Sequence, residues 1–142
     1  MADLIQLAVL LAVGYFVGSR IEKKHYRSIK EREKKLLGCA VVTGDDFLEN
    51  RPVRTSRLVS GSAVISSDYF KMIVGNLLNF FGGEVSVFES LLDRARREAI
   101  LRMKEEAPAA DIILNLRIET STIAGKNSCE ALAYGTAVYY EK

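Results

Sequence analysis

The chain has 142 residues, 49% of them apolar and 27% charged, with a formal net charge of +2 and two cysteines. That is enough for one domain plus an appendage, and it excludes a low-complexity chain or a disulfide framework. The charge is uneven: residues 20–35 carry eight Lys/Arg against three Glu, and residues 36–142 carry twelve against fourteen Asp/Glu. A nucleic-acid-binding domain would carry its basic surface on the fold itself, so no nucleic-acid partner is expected.

The first element is apolar. Leu4 to Ser19, LIQLAVLLAVGYFVGS, carries no charge. As a helix its sixteen residues span roughly 24 Å against a bilayer core of about 30 Å. Ile21 extends the run, and Arg20, Lys23 and Lys24 can snorkel from its end. A cleaved signal peptide begins with basic residues and ends in small ones, whereas here Asp3 comes first and the basic residues follow. An interfacial helix shows a polar face, which residues 7–18 lack, and a core helix of a soluble domain is the third alternative. The run therefore predicts a transmembrane anchor over residues 1–19. The basic flank predicts a single pass with the N-terminus outside and the domain in the cytoplasm, with membrane lipid as a partner.

Residues 20–36 read as a basic helical stalk. Tyr15, Ser19, Glu22, Tyr26, Ile29, Glu33 and Leu36 fall at alternating four- and three-residue steps, but three of the seven are polar, a poor coiled-coil seam. A stalk bundled with its copies and a solvated spacer beside acidic headgroups are both open, the spacer being the plainer reading.

From residue 37 to 142 the pattern is strand, strand, helix, helix, strand, strand. Cys39 to Thr43 and Arg57 to Ile65 are β-branched runs, separated by the turn signal Gly44-Asp45-Asp46. Tyr69 to Phe81 predicts a helix whose single charge is Lys71. Phe70, Ile73, Val74, Leu77 and Phe81 form one face, and Tyr69, Met72 and Phe80 widen it beyond what one sheet can cover. Those three are the expected oligomer contacts. Gly82-Gly83 breaks the helix, and Ser86 and Glu89 form a capping box for a second one. That helix runs to about Ala107, with Phe88, Leu91, Leu92, Ala95, Ala99 and Met103 on one face and the pair Glu98 and Arg102 on the wetter side. Ile112 to Ser121 alternates as a strand, with Ile112, Leu114, Leu116 and Ile118 pointing one way. In the last strand, Glu130 to Tyr140, Ala131, Ala133, Gly135 and Ala137 make a small-residue face that lets a helix or a ligand approach. The expected fold is α+β, a two-layer sandwich of helices on a mostly antiparallel sheet, with the N-terminal helix added.

The segments SGSAVISSDYFKMIVGNLLNFFGGE, LLDRARREAILRM, ADIILNLRIETSTI and AYGTAV resemble the YbjQ-like family, often labelled "putative heavy-metal-binding domain". The resemblance covers residues 37–142. It implies a small sandwich that assembles as a homopentamer, and it implies no established activity. Ala109-Ala110-Asp111 departs from the more usual Gly-Ala-Asp.

The label suggests metal, but His25 sits in the stalk and Cys39 and Cys129 have no neighbouring ligand in sequence, so no metal site and no cofactor are expected. No nucleophile motif or catalytic histidine is present, and the expectation is a protein without catalysis. Gly82 and Gly83 offer backbone N–H groups to an anion, although a structural turn is the plainer reading. Together with Glu84, Glu119 and Thr136 they are the candidate ligand residues. Two functions follow: a membrane-anchored oligomeric binding or scaffold module, or a small-molecule or metal sensor with its site at subunit interfaces.

Overall fold

The computed structural model describes residues 2–44, 51–66, 86–123 and 128–141. They form α1 (Ala2–Lys35), β1 (Ala40–Val41), β2 (Val53–Ser66), α2 (Ser86–Glu106), β3 (Ile112–Ile123) and β4 (Ser128–Tyr140). The sheet order is β1-β3-β4-β2, with β1 parallel to β3 and the other pairs antiparallel. The α+β class holds, with a mixed sheet. The helix expected over Tyr69 to Phe81 lies outside the described residues, and so do the oligomer contacts Tyr69, Met72 and Phe80.

One sheet face is built for a helix. Cys129, Ala131, Ala133 and Ala137 of β4 and Val59 and Ala63 of β2 are buried beneath Leu91, Ala95, Ala99 and Met103 of α2. Small side chains on β4 let the helix sit close. At Gly61 the approach is closer still, because a Cβ there would run into the backbone of α2 at Met103 N and Ala99 O. Ala131, Ala133 and Ala137 of the small-residue row read from the sequence are therefore a seat for α2, while Gly135 makes room for Ile113 and Leu114 of β3.

The alternation expected along β3 fails in the middle. Ile113 packs with Leu116 and Ile118 in the main core, while Ile112 and Leu114 join Val138, Tyr140 and Val42 in a second cluster. The register shifts between Leu114 and Arg117, where Asn115 has φ 56°. Asn tolerates this left-handed conformation better than most residues. The resulting bulge moves the chain half a period, so the four apolar residues divide between two faces. Leu116 N–H donates to Val42 O (2.9 Å), fastening the chain after β1 along the bulge. Asp111 anchors the start of β3, accepting from Tyr140 N–H at 2.9 Å.

Among the described residues no helix is long and apolar enough to cross a membrane, so the structure gives no support to the transmembrane helix expected over residues 1–19. The uncharged run is short, and α1 continues from it without a break into the charged segment. The solvated-spacer reading of that segment is also corrected. The seam Glu22, Tyr26, Ile29, Glu33, Leu36 does pack, but against α2, and Ile29 is 0% exposed.

Candidate functional site

The seam between α1 and α2 is held by charge. The two helices run parallel, and their partners are offset by 64 to 73 residues. Ser90 Oγ donates to Glu22 (3.1 Å), and the Tyr26 hydroxyl lies 3.4 Å from Asp93 Oδ2. The guanidinium groups of Arg94 and Arg97 lie 5.8 and 5.9 Å from the Tyr26 ring, within cation–π range. Arg97 forks onto Glu33 at 2.6 and 2.8 Å. Lys104 donates to Leu36 O at 2.8 Å, completing the C-terminus of α1 with a cation.

At the centre is Glu98, only 4% exposed. It accepts from Arg32 Nη1 at 2.8 and 2.9 Å and from Arg102 Nε at 3.0 Å, with His25 Nε2 3.9 Å away. Burial pushes its carboxyl upward, but the two guanidinium groups overcome that and hold it below the usual carboxylate range. Arg97 does the same for Glu33 by direct hydrogen bonding. Glu98 was expected on the wetter side of α2, yet α1 covers it. Arg102 also donates to Ser62 O (2.7 Å), and Glu106 accepts from Ser60 N–H (2.7 Å). These two side chains block part of the outer edge of β2, where another strand could otherwise add. Beside the seam lies a cleft of about 280 Å³ lined by Glu33, Leu37, Arg97, Ile100, Leu101 and Lys104.

The face of the sheet away from α2 is open over most of its area. Register places Arg117, Tyr134 and Ser60 in one row, Glu119, Leu132 and Ser62 in the next, and Thr136 beside Leu58. Glu119 and Thr136 thus share this face, but four residues of β4 separate their rows, about 13 Å. They form one surface rather than one pocket. Gly82, Gly83 and Glu84 lie outside the described residues. Sequence reasoning missed Leu58, which is 73% exposed, and the serines beside it. The loose alternation of β2 was the available signal.

Metal fits poorly. Among the described residues no group of three His, Cys, Asp or Glu could hold an ion. Cys39 adjoins Ala40, which pairs Ile112, which pairs Val138. Cys129 lies nine residues away along β4, about 30 Å, so the two cysteines of one subunit cannot share an ion. Burial also raises both thiols above the ordinary cysteine range, whereas a metal ligand must be the thiolate.

Residues 39–141 match the family model described as "Putative heavy-metal-binding", a range that begins after α1. A UPF0145 protein of Clostridium novyi is 34% identical over 69% of this chain and 96% of its own length. One from Methanococcus maripaludis is 36% identical over 69% and 88%, and one from Hahella chejuensis 42% identical over 59% and 82%. A solved structure from Pediococcus pentosaceus, a protein with unknown function of the DUF74 family, aligns over 73% of this chain and 99% of its own, with a TM-score of 0.46 and 16% identity. The chain belongs to the YbjQ-like family described as "Putative heavy-metal-binding", to which the UPF0145 proteins are its curated relatives.

Proposed function

We propose that the protein is a membrane-attached, self-associating binding module without catalysis, working at the cytoplasmic face of a bilayer. The exposed apolar strip of α1 carries the reading. Ile5, Val9, Leu10, Val13, Phe16, Val17 and Ile21 stand exposed on a helix whose other half is fixed to α2. Burying a side chain of that size is worth ~1.5 to 3 kcal/mol, so a strip of seven calls for lipid or protein over it. The basic residues that follow favour the cytoplasmic side. Self-association draws support from the open sheet face, where Leu58, Val64 and Leu132 are exposed. The subunit number five rests on the family resemblance alone. The test is fractionation of cells expressing the full chain, followed by sedimentation after detergent extraction. Recovery in carbonate-washed membranes and a mass above one subunit are expected. A freely soluble monomer would refute the reading.

A sensor is the second reading. The observation favouring it is the set of polar groups Arg117, Glu119, Tyr134 and Thr136 on the same open face. Native mass spectrometry of the extracted assembly would show a bound small molecule if this reading is right.

A further inference from the structure

From Glu22 onward helix α1 has two sides, one packed on α2 and one open. Glu22, His25, Ile29 and Arg32, with Leu36 just past the helix end, follow one another at three- and four-residue steps, and every one is buried or half-buried. Ile5, Val9, Val13, Phe16, Arg20, Lys23, Arg27, Lys30 and Lys34 follow at the same steps on the opposite side, and every one is exposed. Steps of three and four keep residues on one face of an α-helix. The exposed line is apolar up to Phe16 and cationic from Arg20. Lys24 and Lys35 flank its cationic half, and Glu31 is the only exposed acid between residues 20 and 35. None of these cations makes a direct ion pair with α2 among the described residues, though Lys30 also acts on Glu33 of its own helix, and together they leave this side strongly positive.

We infer that this outer side of α1 is a docking strip for a bilayer leaflet rich in anionic lipid, and that α1 lies along the surface instead of standing through it. The inference rests on the membrane reading above and specifies its lipid and its geometry. From Ile5 to Lys34 the strip is about 44 Å long. Its first half offers apolar side chains to the acyl boundary, and its second half sets cations against phosphate-bearing headgroups. A flat arrangement needs one side of the helix away from lipid, and the inner line supplies it. From Glu22 to Leu36 that line is packed on α2, which keeps it off the lipid. A helix standing through the bilayer would carry Lys30 and Lys34 roughly 15 to 21 Å beyond Arg20, past the ~8 Å screening length at physiological salt.

The test uses the full chain, diluted from detergent onto neutral phosphatidylcholine vesicles or vesicles containing phosphatidylserine. Amine labelling of Lys30, Lys34 and Lys35 is read by mass spectrometry. Protection of all three on the anionic vesicles alone, reversed by high salt, is expected. The Lys30→Gln, Lys34→Gln, Lys35→Gln variant should bind anionic vesicles weaker by about fivefold per lysine removed, with an unchanged circular dichroism spectrum. Equal binding to both vesicle types with all three lysines labelled as in detergent would overturn the flat strip and leave membrane attachment standing. Binding to neither would overturn both. Protection by random-sequence duplex RNA but not by anionic vesicles would assign the strip to nucleic acid. Protection that grows with protein concentration in detergent alone would assign it to a second copy.

Discussion

Replacing Arg32 by alanine tests the seam at its buried charge, Glu98. Glu98 would keep Arg102 at 3.0 Å and lose the two bonds from Arg32 at 2.8 and 2.9 Å. Removing one partner of a fully buried pair costs about 3 to 5 kcal/mol. Arg102 remains and the head of Arg32 is partly open to water, which reduces the expectation to about 2 kcal/mol. For a chain of this length that is a fall of about 8 °C in melting temperature. Circular dichroism of the full chain in mild detergent measures it. The double variant Arg32→Met, Glu98→Leu removes both charges and should recover to within about 1 kcal/mol of the native chain. If Arg32→Ala melts within about 1 °C of the native protein, α1 does not pack on α2 as described and the reasoning fails.

Gly61→Ala places a methyl against the α2 backbone, and the urea midpoint should fall by about 1 to 3 kcal/mol equivalent. Acidification should act through Glu98 and Glu33, whose carboxyls are held below their ordinary value of 4.5 in the folded chain. Their stabilisation is complete above that pH and is lost as pH falls through the lowered values, so Glu98→Gln should flatten the acid limb of a stability-against-pH curve. A chain beginning at residue 36 uncovers Glu98, and should be far less stable in urea than one beginning at residue 21, which keeps Ile29 and Arg32; equal midpoints would show that the seam contributes nothing. Chelation should leave the melting temperature unchanged, and a rise with added zinc that vanishes in Cys39→Ser, Cys129→Ser would contradict the poor fit of metal.

The parts of this fold that depend on local pattern were legible in the sequence. The seat for α2 shows as small residues at every second position of β4, and the apolar face of α2 shows at helical spacing. The bulge was not legible, because Asn115 between Leu114 and Leu116 looks like any outward position of a regular strand. Only its backbone, at φ 56°, changes the parity. Glu98 looked like an ordinary surface partner of Arg102 because its cover comes from Arg32, 66 residues earlier, and no window on α2 contains that fact. The seam on α1 was visible as spacing. Its members Glu22, Tyr26 and Glu33 are matched to Ser90, Asp93 and Arg97 on another helix, a pairing that no reading of α1 alone contains. For the candidate site, the open sheet face was half legible. Glu119 and Thr136 do lie on it, but the sequence offered no measure of the distance between them.

The parallel seam also fixes an order of events during synthesis. Arg32 leaves the ribosome 66 residues before Glu98, several seconds earlier at ~5 to 20 residues per second. Through that interval the inner line of α1 has no α2 to close against, while its outer strip is already complete. A strip suited to lipid can therefore settle before the sheet exists. If the outer strip docks on lipid as proposed, α2 closes onto a helix that is already at the bilayer.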